Sequence, residues 1–204
     1  MSYVVAVAGP TGGGKSALVQ ALVAGLGDAC ALHMDDYERM TRRPIAEVAR
    51  WAERGADLDE LEVPLLGEHL RRLKDGEPVV TPAGGRHIVP RKYIVFETQF
   101  GRAHRATGTL IDLLVWIDVA PEVALARKLR AFTAEALRDG GELAARDRLA
   151  WLDGYLANYL TLVRRLWQAQ AERVRPQADV VIDGNGELEP MVARARDQVL
   201  RRLS

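Results

Sequence analysis

Cysteine is nearly missing from this 204-residue chain. Cys30 stands alone, so no intrachain disulfide can close and no cysteine cluster can hold a metal. A reducing cytoplasm is the expected setting. An excess of charge is missing too. Lysine plus arginine total 28, aspartate plus glutamate total 28, and the formal net charge is +0. No global basic field therefore draws in DNA, RNA or an anionic membrane as the main partner. No apolar run reaches the ~18 residues that a membrane helix needs. Residues 1–8 are apolar, but they are too short for a secretory core and carry no basic leader; a buried first strand is the expectation. Internal repeats, low-complexity tracts and linkers are absent as well. One domain over 1–204 is the simplest count. What remains is ordinary globular composition, 48% hydrophobic and 27% charged.

Apolar spacing sets out the expected elements. Residues 3–8 (YVVAVA) form a β-branched run, predicting a buried parallel strand. Residues 15–26 read as a helix with Leu18, Val19, Leu22 and Val23 on one face and Gly27 after its end. Short strands are expected at 30–34, 93–96, 113–117 and 179–182. Helices are expected at 44–54, 65–74, 121–132, 155–173 and 188–203, the third of these with Pro121 in its first turn. Residues 79–91 hold Pro82, Gly84, Gly85 and Pro90, so they predict a loop or small hairpin. Residues 133–150 are rich in charge and contain Gly140-Gly141; they read as a mobile flap, within a lid at about 128–148. Strands alternating with helices imply an α/β fold with a parallel sheet covered on both faces.

The first strand runs into Gly9-Pro10-Thr11-Gly12-Gly13-Gly14-Lys15-Ser16, which fits G-x-x-x-x-G-K-[ST] without a mismatch. Glycines let backbone N–H groups converge on an anion without Cβ clashes. The helix beginning near Lys15 adds the positive end of its dipole, and Ala17 lies in the same first turn. Lys15 can reach the β- and γ-phosphates of ATP, with GTP left open, and the Ser16 hydroxyl can ligate Mg²⁺. The competing reading, a glycine-rich turn that binds nothing, fits poorly between a strand and a helix. The cradle does not name the chemistry, because GTPases, motor ATPases and small-molecule kinases share it. Absences narrow the choice: there is no Asn-Lys-x-Asp guanine motif and no Leu-Ser-Gly-Gly transporter signature.

Ligands of open α/β sheets bind beyond the carboxyl ends of the strands. Asp35, Asp36, Glu97, Asp118 and Asp183 fall there. Asp35 suits the orienting base for an acceptor hydroxyl, with Asp36 second; either can instead cap the next helix. Glu97 can serve the magnesium shell or a substrate hydroxyl, or be a plain strand-end carboxylate. Arg127 and Arg130, three apart on one helix face, are candidates to meet phosphate on closure; a solvated face is the alternative. Tyr37, Arg102 and His104 are candidate acceptor contacts, although His104 alone equally reads as a packed histidine. Trp151, Tyr155 and Tyr159 recur every four residues, which reads as core before it reads as a stacking platform.

In these motifs the chain resembles the family of uridine kinase, phosphoribulokinase and pantothenate kinase, including nicotinamide riboside kinases. His33-Met-Asp-Asp-Tyr37 looks like that family's second-strand Asp and following aromatic. Val95-Phe96-Glu97 resembles its "VEG" strand end, Trp116-Ile-Asp118 its "hhD" strand, Arg127-Lys-Leu-Arg130 the start of its basic lid, and Ala178-Asp-Val-Val-Ile182 its closing strand. The resemblance implies a P-loop NTPase sheet of order 2-3-1-4-5, ATP with Mg²⁺, a metal site at Ser16, Asp35 and Glu97, and catalytic roles for Lys15, Asp35, Glu97, Arg127 and Arg130. It also implies γ-phosphate transfer to a hydroxyl of a nucleoside, sugar or vitamin-like alcohol. Departures fall on the acceptor side: Ala131-Phe132 after Arg130, no aromatic in Thr81-Pro-Ala-Gly-Gly85, and Thr98 after Glu97. The expected partners are a nucleotide and a small-molecule acceptor, with no nucleic acid and no membrane; a homodimer stays open. The alternative reading is a nucleotide-binding regulator that has lost acceptor chemistry.

Overall fold

The computed structural model describes residues 2–37, 45–60, 63–138 and 142–203. Its spine is a parallel sheet of five strands: β1 (Tyr3–Ala8), β2 (Ala29–His33), β5 (Tyr93–Glu97), β6 (Leu113–Asp118) and β7 (Val180–Asp183). They lie side by side as β2-β5-β1-β6-β7. Numbered within this sheet alone, that order is 2-3-1-4-5, the one the family resemblance implies. The remaining pair, β3 (Val79–Val80) and β4 (His87–Ile88), forms a small antiparallel hairpin within 79–91, where a loop or small hairpin was expected.

Side chains alternate across the sheet because the strand period is two. Val5, Val7, Tyr93, Val95, Leu113, Val115 and Ile117 face one way, against α1 (Lys15–Leu26) and α8 (Leu188–Leu203). Val4, Ala6, Ala8, Ile94, Phe96, Leu114 and Trp116 face the other. There they meet α2 (Ile45–Glu53), α3 (Leu66–Lys74) and α7 (Arg164–Val174) through Trp51, Leu70, Leu73 and Val174. β1 sits mid-sheet and is buried on both faces, which is why its sequence is apolar throughout rather than alternating.

The rest of the chain departs from expectation at the lid. α5 (Pro121–Arg138) runs past residue 132, and α6 (Glu142–Asn158) follows. Residues 133–150, read as a flap, are therefore helical wherever they are described; Gly140-Gly141 lie outside the described residues. The physical reason is composition, since Thr-Ala-Glu-Ala-Leu-Arg138 and Glu142-Leu-Ala-Ala-Arg146 are dominated by strong helix formers. Pro44 also lies outside the described residues. From residue 142 to 174 the chain is helical without a break. Residues Tyr159–Val163 form a wide π turn in its middle. Along this helix the aromatic stripe splits. Tyr159 is core, edge-on to Trp167 at 5.3 Å. Trp151 is 48% exposed and stacks between Phe132 on α5 and Tyr155, at 4.4 and 5.3 Å. Among the described residues no helix is long and apolar enough to cross a membrane.

Candidate active site

The site grows from the carboxyl ends of β1, β2 and β5. The chain leaves β1 at Ala8 and turns through 9–14 into α1. Gly14, the residue before the helix, sits at φ +94, and Gly12 at φ +83. A Cβ on Gly12 would stand 2.2 Å from the Ala124 carbonyl oxygen, so the loop is pressed against the first turns of α5 at a distance only glycine allows. The α1 N-terminus then faces the cradle with its unpaired N–H groups.

Register explains what meets it. His33 and Glu97 are partners across the β2–β5 ladder, and Glu97 also pairs with Val7. Glu97 lies two residues beyond Val95, so it points to the α1 side of the sheet, where Ser16 waits in the first turn. The Ser16 hydroxyl donates to Glu97 Oε1 at 2.9 Å, and His33 Nδ1 lies 2.6 Å from Glu97 Oε2. Burial opposes ionisation of Glu97. The hydrogen bonds from His33 and Ser16 and the Lys15 charge outweigh it, so the carboxyl stays below its ordinary pKa.

Lys15 is buried, and its Nζ donates to the Pro10 carbonyl at 3.1 Å. Burial lowers its pKa, while Glu97 and Asp35 pull it up and Lys128 pushes it down. Asp35 is exposed on the short 3₁₀ turn Met34–Asp36 that follows β2, and among the described residues its carboxylate has no hydrogen-bond partner. Thr11, Gly12, Gly14, Lys15, Ser16, Ala17, Met34, Asp35, Glu97, Thr98, Gln99, Arg127, Lys128 and Ala131 enclose one cavity of about 660 Å³. It is large enough for a nucleotide's phosphates together with an acceptor. Its oxygen donors, Ser16, Asp35 and Glu97, are a hard set of the kind magnesium takes, one or two from protein and the rest from phosphate and water. This agrees with the finding that, among the described residues, no group of three or more His, Cys, Asp or Glu gathers into a closed metal centre.

Other expected site residues stand elsewhere. Asp36 is paired with Arg86 beyond the hairpin turn, and its carbonyl accepts from Ala83 N–H. Tyr37 is core; its hydroxyl meets His69 Nδ1 at 3.0 Å, and burial pushes its pKa up to about 12. Arg102 lies at the opposite end of the sheet, where it donates to Gln177 O at 2.8 Å and to Asp179 Oδ2 at 2.6 Å. His104 is buried with Nδ1 2.9 Å from Thr107 Oγ1, so the packed-histidine alternative holds. Both leave the site because residues 98–112 carry the chain from the carboxyl end of β5 back to the amino end of β6. Arg130 is exposed outside the cavity. Arg127 lines it, but its guanidinium is engaged by the carbonyls of Gly184 (2.6 Å), Asn185 and Gly186 after β7. Lys128, not Arg130, is the second lid cation facing the cradle, and its proximity to Lys15 marks it. Sequence reading gave His33 no role in the site. No spacing signal marked it, because His33 meets Glu97 only once β2 and β5 are paired.

No protein-family model matches the chain. It is 24% identical to a uridine kinase of Halobacterium salinarum, over 89% of this chain and 80% of that protein. It is also 24% identical to a uridine kinase of Geobacillus kaustophilus, over 95% and 93%. Its fold matches the structure of a possible uridine kinase from Bacillus stearothermophilus with TM-score 0.56 and 18% identity, covering 89% of each chain. The chain is thus similar to uridine kinases over most of its length and shares their fold. The cradle, Asp35 after β2 and Glu97 at the end of β5 line one cavity. The acceptor side lacks the hairpin aromatic that the family resemblance implies.

Proposed function

We propose that this chain is an ATP-dependent kinase that transfers the γ-phosphate to a hydroxyl of a small molecule. The observation that carries this reading is a single cavity lined by Lys15, by the Ser16–Glu97 pair and by Asp35, whose carboxylate has no hydrogen-bond partner among the described residues. In it, N–H groups of residues 12–16 and the Lys15 ammonium hold the β- and γ-phosphates. Lys15 exchanges the Pro10 carbonyl for phosphate oxygen. Ser16 and Glu97 would hold Mg²⁺, with His33 orienting Glu97 and helping to keep it anionic. When bound, the ion supplies positive charge against the phosphate oxygens. Asp35 accepts the acceptor's hydroxyl hydrogen, aligns its oxygen with the γ-phosphorus and takes the proton late in transfer. The new O–P bond forms as the β–γ bridging bond breaks, and ADP leaves. Arg127 and Lys128 place lid charge beside the transferring group.

Sugars, nucleosides and vitamin-like alcohols are all in range of a cavity this size. The test is ADP release from Mg-ATP over a panel of such alcohols. Acceptor-dependent release in the wild type is expected, with a loss of about 10²–10³-fold or more in Lys15→Ala. ATP binding with no acceptor-dependent release across the panel would replace this reading with a nucleotide-binding regulator.

A further inference from the structure

A second cavity, of about 180 Å³, adjoins the phosphate cavity and shares Thr11 and Gln99 with it. Apart from those two residues its wall is made of different chemistry. Trp51 and Leu58 come from α2 and the segment after it, Phe100 from the return crossover, and Val163, Leu166 and Trp167 from the long helix. The polar groups deeper in are already committed. The Trp51 indole N–H donates to Asp57 O at 2.9 Å. Gln170 Nε2 donates to Gly9 O and Gln99 O. The Arg173 guanidinium donates to the carbonyls of Ala56 and Gly55. Beyond these bonds, free hydrogen-bonding capacity on the wall is limited to Gln170 Oε1 and the remaining Arg173 N–H groups, and to Thr11 and the Gln99 side chain at the end toward the phosphates.

An apolar cavity of about 150 Å³ stays dry and takes up a benzene-sized molecule, and a void of this size is costly to leave empty. A ribonucleoside would bring more hydroxyls and base edges than these few groups on a mainly apolar wall can pair, and each one left unpaired is penalised more heavily than a poor fit. We propose that this cavity seats the apolar body of the phosphate acceptor, an alcohol carrying one aromatic ring or a compact branched aliphatic group. Its hydroxyl passes Thr11 and Gln99 to reach Asp35 in the phosphate cavity. The reacting bonds are those already given: the acceptor oxygen gains the γ-phosphorus, its proton goes to Asp35, and ADP departs. The inference rests on the kinase reading and adds the class of acceptor.

The experiment compares benzyl alcohol, isoamyl alcohol and uridine on the full chain. Binding is read from tryptophan fluorescence, since Trp51 and Trp167 wall the cavity, and turnover from ADP release with Mg-ATP. Two variants change the cavity in opposite senses. Ala169→Leu narrows it and should raise KM for benzyl alcohol by about tenfold or more, the effect that even one methylene has in an apolar pocket. Leu166→Ala widens it and should shift preference toward bulkier apolar alcohols. Mg-ATP affinity, measured on each variant, reports that the fold is intact. The expected result is binding and phosphorylation of the apolar alcohols in preference to uridine, with the KM changes above. Phosphorylation of uridine without binding of the apolar alcohols overturns the inference and leaves the kinase reading standing. Apolar alcohols that bind but are never phosphorylated overturn it as well, as does a benzyl alcohol KM unmoved by Ala169→Leu. No release with any alcohol overturns the kinase reading, and the inference with it.

Discussion

Lys15 is 8% exposed, and burial pulls its ammonium below the ordinary pKa against the attraction of Glu97 and Asp35. A single neutral carbonyl, Pro10 O, is its hydrogen-bond partner in the free chain. An arriving triphosphate thus meets a cation already stripped of most of its water, which is where a charge acts most strongly. The same comparison separates the two adjacent aspartates. Asp36 is neutralised by Arg86, whereas Asp35 opens onto the cavity. Asp35→Asn should lower kcat by about 10²-fold with ATP affinity nearly unchanged. Asp36→Asn should instead leave kcat within a few fold and loosen the hairpin; steady-state kinetics with any acceptor that turns over decides between them, and the reverse pattern moves the base to Asp36. Two buried histidines, His69 and His104, sit outside the site. Burial lowers the pKa of His104 from its ordinary 6.5, with Asp59 working the other way. The unfolded chain therefore takes up the proton first as pH falls below 6.5, and the stability held by neutral His104 drains away as pH drops toward its folded pKa. His69 is shifted in the same direction, also by burial first. His104→Gln should cost about 1 kcal/mol at neutral pH, yet make the decline of Tm below pH 6.5 shallower than in the wild type. An unchanged slope would show that His104 is not held neutral by the fold.

The elements show what was legible and what was not. The cradle is spelled by local sequence, because a strand, a glycine turn and a helix are fixed by neighbours a few residues apart. Glu97 at the end of β5 was legible for the same reason. Its partnership with His33 was not, since it depends on the β2–β5 register, and pairing between strands 64 residues apart is invisible to spacing. Arg102 failed differently. Following the third main-sheet strand closely, it was expected near the acceptor, but the crossover carries it to the amino ends of β6 and β7. There Asp179 Oδ2 accepts from both Arg102 and the Leu114 N–H. Arg130 was paired with Arg127 by helical spacing, which gives a shared face without saying how wide the cavity is. The resulting prediction belongs to the elements: Arg102→Ala removes a partly exposed charge-assisted clamp across the β6–β7 end. It should cost about 1–2 kcal/mol in denaturant unfolding. ATP affinity should not move, because the cradle lies at the other end of the same strands. A weakened ATP affinity at unchanged stability would return Arg102 to the site.

At the scale of the molecule, the site is assembled from pieces that no single segment contains. Residues 9–17 come from β1 and α1, Asp35 from the end of β2, Glu97 from β5, and Arg127 and Lys128 from α5. One sheet holds the first three in register, and its two faces are buried by two apolar clusters that meet only through it. Separating the cradle from the β5 carboxylate would require breaking the β1–β5 ladder, which lies in both cores. Mg-ATP should therefore stabilise the whole sheet rather than a local loop. At a free concentration about 100 times Kd, a ligand bound only by the folded state adds about 2.7 kcal/mol. For a chain of this length that corresponds to a rise in Tm of roughly 5–10 °C. Differential scanning calorimetry with and without Mg-ATP measures it, and Lys15→Ala should lose most of the rise at the same nucleotide concentration. Because cradle and sheet are one unit, the shift should appear in a single transition. A ligand-dependent transition separated from a ligand-independent one would mean that the phosphate site unfolds apart from the sheet on which it is built.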